Sequence, residues 1–168
     1  MTLITHLARQ LRKPFIFKQL QREWKILDLG CGDGWLTDCL NKNHFDAIGV
    51  DINSSYTLSN FIKADASKLS FKDNSFDCII MVEVVEHLNT SKVYSEIRRI
   101  LKPEGKLIVT TPHPKFEWFI ELLKKLRLVK YHDFPHTNPT YLEDLPFRLI
   151  TKSRMFLIDQ MGIYVNKK

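Results

Sequence analysis

Apolar residues change their spacing several times along this chain, and each change marks an element. Over residues 2–22, Leu3, Leu7 and Leu11 recur at helical spacing before Pro14, and Phe15, Phe17 and Leu20 carry a second apolar set. This pattern predicts a helical arm that breaks or kinks at the proline. From Trp24 the spacing shortens. Lys25-Ile26-Leu27-Asp28-Leu29 is a compact apolar run halted by glycine, as a buried parallel strand is. Gly34 to Asn41 returns to helical spacing, with Trp35, Leu36, Cys39 and Leu40 on one side. Three further runs read as strands: Ala47 to Asp51, Phe61 to Asp65 and Phe76 to Met81. Ser91 to Leu101 is a helix by the spacing of Val93, Tyr94, Ile97, Ile100 and Leu101, ended by Lys102-Pro103-Glu104-Gly105. Lys106 to Thr111 is a fifth strand closed by Pro112, and Phe116 to Leu128 is another amphipathic helix. Lys152 to Met161 reads as a helix and Gly162-Ile163-Tyr164-Val165 as a strand.

Strands alternating with helices predict an α/β fold: a mostly parallel sheet with helices on both faces. Right-handed crossovers place every strand C-terminus on one edge, where open sheets of this kind bind ligands. The length suits one domain over residues 1–168. Within it lie an arm (1–22), a core (24–112) and a further region (113–168). Because the chain stops at Lys168, soon after its final strand, the sheet is expected either to lack its last strand or to pair that strand unusually.

Composition narrows the function classes. The chain is 44% hydrophobic and 26% charged, ordinary values for a globular protein. No run of 18 apolar residues predicts a membrane span, and the N-terminus lacks the order of a signal peptide. Cys31, Cys39 and Cys78 show no metal-ligand spacing and suit reduced thiols in a cytoplasm. The net charge of +6 is uneven. Arg9, Arg12, Lys13, Lys18, Arg22 and Lys25 face only Glu23 in the first 25 residues, and Arg148, Lys152, Arg154, Lys167 and Lys168 face only Asp159 near the end. Basic ends suit nucleic acid, an anionic lipid surface or an acidic substrate; a solvated surface is the simpler reading.

The candidate chemistry starts at Asp28-Leu29-Gly30-Cys31-Gly32-Asp33-Gly34, where a strand turns into a helix. Glycine there allows a tight turn and a close ligand approach. Asp51 stands 21 residues after Gly30 at the end of the next strand, with Ile52 beside it. A carboxylate in that place accepts hydrogen bonds from both hydroxyls of a ribose, as in NAD-dependent and S-adenosylmethionine-dependent enzymes alike. Lys63-Ala64-Asp65-Ala66 ends the third strand, and Asp73-Asn74-Ser75-Phe76-Asp77 leads through the fourth into Met81-Val82-Glu83-Val84-Val85-Glu86-His87-Leu88.

Taken together, residues 26–112 resemble the class I S-adenosylmethionine-dependent methyltransferases: the glycine motif, ribose acid, adenine-side acid, Phe-Asp strand and Leu-Lys-Pro-x-Gly turn occur in order. Glu83 to Leu88 is similar to the corresponding segment of small-molecule enzymes of the quinone-biosynthesis type. The resemblance implies a Rossmann-like, doubly wound fold with S-adenosylmethionine as cofactor. By the family's roles, the Gly30 carbonyl meets the cofactor's amino group, with Cys31 and Gly32 completing the turn, and Asp28 orders that turn. Asp51 holds the ribose and Ile52 adjoins it. Asp65 and the Ala66 N–H meet the adenine, and Val82 and Glu83 line the methionine portion. Only 13 residues separate Asp51 from Asp65, so Asn53 to Asn60 leaves room for a turn or two where the family fits a full helix.

Methyl transfer needs a base only when the acceptor must lose a proton. His87 and His113 are the candidates by type and place, with a structural role the competing reading for His87. Glu83, Glu86 and His87 also resemble part of the metal set of small-RNA 2′-O-methyltransferases, for which His132 or His136 is the candidate fourth ligand. Metal-free relatives carry the same segment, so no metal is expected. The favoured acceptor is a small or lipidic molecule. RNA and a non-catalytic subunit of the same fold are the alternatives, and oligomeric state is not encoded legibly. The arm is expected to fold over the cofactor, with Phe15, Phe17 and Trp118 lining an apolar acceptor pocket beside His113. Its removal is then expected to leave the sheet intact.

Overall fold

The computed structural model describes residues 3–53, 60–88, 91–126, 140–155 and 159–167. In chain order the elements are α1 (Leu3–Phe17), β1 (Lys25–Leu29), α2 (Trp35–Lys42), β2 (Asp46–Asp51), β3 (Phe61–Lys63), β4 (Phe76–Val82), α3 (Ser91–Ile100), β5 (Leu101–Pro112), α4 (Glu117–Lys125), β6 (Arg148–Met155) and β7 (Asp159–Val165). Short 3-10 turns occupy Val85–His87, Pro114–Phe116 and Leu142–Asp144. One seven-stranded sheet runs β3-β2-β1-β4-β5-β7-β6. The first five strands pair in parallel and β7 runs antiparallel to both β5 and β6.

The strands sort their side chains by alternation onto two faces. Leu27 and Leu29 of β1, with Ile79 and Met81 of β4 and Leu107 and Val109 of β5, pack beneath α3 through Val93, Ile97 and Ile100. Ile26, Cys78, Ile80 and Ile108 point the other way, toward Leu36 and Leu40 of α2 and Ile16 of α1. Both faces are therefore covered, which is why β1 and β4 read as nearly unbroken apolar runs.

Three expectations are corrected. The stretch from Lys152 to Met161 is not a helix: β6 and β7 form an antiparallel hairpin there, with residues 156–158 outside the described set. The missing strand is β6, which precedes β7 in the chain rather than following it, so the sheet is not short. Helical and sheet readings were hard to separate because all seven residues of β7 are buried, leaving no alternation to read. What decides the matter is the outer edge of β5, whose backbone groups need partners and find them in β7 from Lys106 to Pro112. Second, Pro14 does not break α1, which runs on to Phe17, and the Lys18 N–H donates to the Pro14 carbonyl at 3.1 Å; burial of Arg12 and Ile16 on its inner side outweighs the bond the proline removes. Third, β5 begins at Leu101, with a register shift before Lys106, rather than after the Pro103 turn. The expected short connection after Asp51 falls mostly on residues 54–59, outside the described set.

Candidate functional site

The turn after β1 is built on left-handed backbone. Gly30, Gly32 and Gly34 have φ of 78°, 52° and 70°, a region costly for residues with a Cβ. A Cβ on Gly30 would also lie 2.4 Å from Cγ2 of Val84, so the turn abuts the segment that follows β4. The Gly30 and Cys31 N–H groups both donate to the Val50 carbonyl, at 2.7 and 3.1 Å, pinning the turn to β2. Beneath it, Asp28 is buried and accepts a hydrogen bond from Thr37 Oγ1 at 2.7 Å. Burial pushes its carboxyl up to about 7, and Asp51 and Asp33 push it further in the same direction. Asp28 thus ties the end of β1 to α2, on either side of the turn. Cys31 is buried, and burial, with Asp28 beside it, raises its thiol far above the ordinary range. It fills space rather than reacting.

Asp51 closes β2 facing the same turn. Its Oδ2 accepts from the Gly32 N–H at 2.9 Å and its Oδ1 from the Asn53 N–H at 2.9 Å. Each carboxylate oxygen has a second lone pair, so both can still take a hydroxyl. Ile52 is more than half exposed and offers an apolar surface beside that carboxylate. Asp65 lies past β3, with Oδ1 accepting from the Ser67 N–H at 2.8 Å; those bonds to Ser67 hold its carboxyl below the usual range. The half-buried Ala66 packs against the α3-side core. Every one of these residues sits on the edge formed by the strand C-termini.

Val82 ends β4, and Glu83 adopts a left-handed φ of 56° while its N–H donates to the Thr110 carbonyl at 2.8 Å. Glu83 meets a partner that sequence reading missed. Arg12 of α1, 5% exposed, bonds Glu83 Oε1 through Nη2 and reaches Asp159 Oδ2 at 2.6 Å through Nη2 and at 3.1 Å through Nε. One turn earlier on the same helix, Arg9 pairs with Asp33 of the glycine turn at 2.7 Å and lies over the Trp35 ring. The arm therefore straps together both walls of the cleft, the glycine turn and the segment after β4. Arg12 and Arg9 had read as solvated charges because their partners are remote; Asp159 is 147 positions from Arg12.

The arm does not line an acceptor pocket with Phe17. That ring packs edge-on against Phe45, centroids 5.5 Å apart, just before β2 at the opposite edge of the sheet from His113. Phe15 and Trp118 are exposed. Ile16 of the arm is fully buried in the core, so the arm packs into the fold at that point.

Of the two histidines, His87 sits in the 3-10 turn after β4, its N–H donating to the Val84 carbonyl at 2.9 Å. His113 is buried just past β5, between the rings of Phe116 and Tyr141. Burial and the nearby Lys152, Arg154 and Lys115 lower its pKa, keeping the ring neutral. Its Nδ1 accepts from the Lys115 N–H at 3.2 Å, an arrangement that suits the tautomer with the proton on Nε2. Glu86 is buried against Thr111 Oγ1 at 3.0 Å, and burial together with Glu83 pushes its carboxyl up to about 8. Among the described residues no three acidic, histidine or cysteine side chains gather as metal ligands. His132 and His136, the candidate fourth ligands, lie outside the described set.

The donor set suits a cationic ligand. Asp51, Asp33, Glu83 and Asp159 carry carboxylates along this edge, and no lysine stands in the glycine turn to hold a phosphate. S-adenosylmethionine, with its sulfonium and ammonium groups, fits that chemistry.

Comparison with known proteins agrees. Residues 27–109 match a family described as a methyltransferase domain. Among curated relatives, sterol 24-C-methyltransferase of Gibberella zeae is 35% identical over 112 residues, covering 57% of this chain and 28% of that protein. Ubiquinone biosynthesis O-methyltransferase of Bartonella tribocorum is 25% identical over 162 residues, covering 84% of this chain and 64% of that protein. The chain thus spans less than two thirds of the length of either. Two solved structures share the fold: a Pyrococcus horikoshii protein (TM-score 0.74, 23% identity, covering 99% of this chain and 92% of the other), and a Methanosarcina mazei SAM-dependent methyltransferase (TM-score 0.67, 22% identity, covering 92% and 97%).

Proposed function

We propose that this chain, which belongs to the class I S-adenosylmethionine-dependent methyltransferases, transfers a methyl group to a small or lipidic acceptor. The observation that carries the reading is the left-handed glycine turn between β1 and α2, tied through Gly32 N–H to the Asp51 carboxylate. When bound, the cofactor supplies a methyl group already activated by a sulfonium. What the chain must add is placement, because much of the acceleration in such a displacement comes from alignment. Asp51 binds the ribose, Asp65 and Ala66 the adenine, and the Gly30 carbonyl with the Val82–Glu83 backbone the methionine portion. The Arg9 and Arg12 strap excludes water from above. His113 orients the acceptor by donating from Nε2, and His87 is the group placed to take a proton.

A small acceptor is supported by the curated relatives, which are named for sterol 24-C-methylation and for O-methylation in ubiquinone biosynthesis. RNA is the less favoured acceptor, because Arg9 and Arg12 of the basic arm are engaged with carboxylates inside the fold. No helix among the described residues is long and apolar enough to cross a membrane, and a cytoplasmic setting remains part of the proposal.

The test has two arms. Calorimetric titration of S-adenosylmethionine should show binding that Asp51→Ala weakens by about 1.5–3 kcal/mol, the worth of charge-assisted hydrogen bonds. Incubation with methyl-labelled cofactor and separate pools of sterols, phenolic quinone precursors and RNA should label one of the first two. Undiminished affinity in a folded Asp51→Ala protein refutes the ribose assignment, and label in RNA alone refutes the small-acceptor reading.

A further inference from the structure

Three side chains stand in one row across the last strands of the sheet. Thr111 of β5 pairs with Gln160 of β7, and Gln160 pairs with Arg154 of β6. Directly opposed residues share a face. Gln160 also shares a face with Tyr164, four positions along β7, so the row lies on the α3 side of the sheet. Because β7 runs antiparallel to both neighbours, its first residues meet the ends of β5 and β6 at the ligand edge. In the sheet order, the glycine turn and Asp51 lie on one side of β4 and this row lies on the other.

The middle of the row holds an unused hydrogen-bond acceptor. Gln160 is 1% exposed, and its Nε2 donates to the Thr140 carbonyl at 2.9 Å. Tyr164 donates to the Leu142 carbonyl at 2.7 Å, so the two side chains fix residues 140–142 over β7. The other end of the Gln160 amide, Oε1, is buried and has no hydrogen-bond partner among the described residues. Such an oxygen is costly until a donor reaches it. His113 stands close by. It follows Pro112, whose carbonyl lies 3.5 Å from Gln160 Nε2, and its ring meets that of Tyr141, the neighbour of Thr140, at 5.8 Å. Its Nδ1 accepts from the Lys115 N–H, which suits a proton on Nε2. One acceptor and one donor are what a single hydroxyl satisfies.

The charge of this part of the edge is positive. Lys115 and Arg154 are exposed, and Lys152, which precedes Arg154 by two residues on the same face, is paired with Glu143. All three cations act on His113, with Glu143 acting the other way. Glu86, bonded to Thr111, is uncharged below about pH 8. Asp159 points to the opposite face, where it meets Arg12.

We propose that this row is the methyl-acceptor subsite and that its ligand is a small acid bearing a hydroxyl. The hydroxyl bridges Gln160 Oε1 and His113 Nε2, and the anionic group pairs with Arg154. Thr111 is engaged with Glu86, so Gln160 and Arg154 determine specificity. The inference rests on the proposed methyl transfer and narrows its acceptor class. Both residues lie outside the region matched by the family.

The test incubates the full chain with methyl-labelled S-adenosylmethionine and matched acceptors. These are hydroxybenzoic, hydroxycinnamic and aliphatic hydroxy acids, each beside its neutral methyl ester, with glycerol phosphate as the phosphate-bearing counterpart. An acid should be methylated with kcat/KM about tenfold above its ester, the scale of one charge-assisted hydrogen bond. Label in glycerol phosphate instead identifies phosphate as the anion, and its use should fall by the same factor in Arg154→Gln. Arg154→Gln should bring the acid-to-ester ratio to about one, whereas Arg154→Lys keeps most of it. Gln160→Leu removes Oε1 and should lower kcat/KM for acid and ester alike by about tenfold. S-adenosylmethionine affinity by calorimetry should hold in each variant, which a general loss of scaffolding would not allow. Should Gln160→Leu fail to fold, the exposed Arg154 variants decide by the ratio alone. Equal use of acid and ester by the wild type, or an unchanged ratio in Arg154→Gln, overturns the proposal. Absence of label from every acid and from glycerol phosphate, with the cofactor still bound, overturns it and leaves the methyltransferase reading standing. A wild-type chain that binds no S-adenosylmethionine overturns that reading, and this inference with it.

Discussion

Asp28, Glu86 and Asp159 are acids whose burial raises their pKa, to about 7, 8 and 6 respectively. Their ordinary values are 3.8 for Asp and 4.5 for Glu, so between roughly pH 4 and 8 the folded chain holds protons that the unfolded chain has released. Stability from these groups is complete below the ordinary carboxylate range and is lost as pH rises through the raised values. Asp77 and Glu96, held below their ordinary values, act in the opposite sense but only at lower pH, and His113, held below 6.5, opposes the trend only up to about that pH, one group against three. The ligand-free chain should therefore melt at a higher temperature at pH 5.5 than at pH 8. Asp28→Asn, which keeps the shape and cannot ionise, should flatten that dependence, removing a contribution of order 2–4 kcal/mol across the window. A melting temperature that rises from pH 5.5 to 8 would refute this account.

At the scale of elements, the turn between β1 and α2 and the helix α1 make opposite demands. The turn depends on what is absent. Gly30→Ala forces a Cβ into left-handed backbone and onto Val84, and should cost about 2 kcal/mol or more in urea unfolding. Adding Val84→Ala should recover the part due to the collision and leave the part due to φ, so full recovery would show that backbone strain is negligible there. The helix depends on what it buries. Removing residues 1–20 takes Ile16 out of the core and leaves Glu83 and Asp159 facing each other without Arg12. Loss of one buried charge partner typically costs about 3–5 kcal/mol. The shortened chain should unfold at markedly lower urea, contrary to the expectation that the sheet stands without its arm. An unchanged midpoint would restore the lid reading.

Over the whole molecule, the chain closes on itself far from the cleft. Asn166, just past β7, is buried, and its Nδ2 reaches the carbonyls of Leu101 at 3.0 Å, Arg98 at 3.1 Å and Lys102 at 3.3 Å. Its backbone N–H donates to the Gly105 carbonyl and its carbonyl accepts from the Glu104 N–H, both at 3.0 Å. One residue thereby locks the C-terminal hairpin to the junction of α3 and β5, at the edge opposite the ligand. Asn166→Ala takes a donor from the buried Leu101 carbonyl and from the part-buried Arg98 and Lys102 carbonyls, and should cost roughly 1–3 kcal/mol. Because the lock is remote from Asp51 and the glycine turn, cofactor affinity measured below the unfolding transition should be unchanged. A loss of affinity in the folded variant would mean that the two edges are coupled.

What the sequence determined by itself is the half of the site made by neighbours in the chain. Gly30, Gly32 and Gly34 are legible because only glycine takes that backbone at low cost. Asp51 and Asp65 are legible because each ends an apolar run, and a parallel sheet brings all such ends to one edge. The other half was decided by tertiary structure. Nothing local in Arg12 distinguishes a buried partner of Asp159 from one more charge on a basic arm; only the docking of α1 across the sheet brings together residues 147 positions apart. The hairpin of β6 and β7 was hidden for a related reason. A strand covered on both faces carries no alternating pattern, and its conformation is set by the open hydrogen-bonding edge of β5, which belongs to another part of the chain.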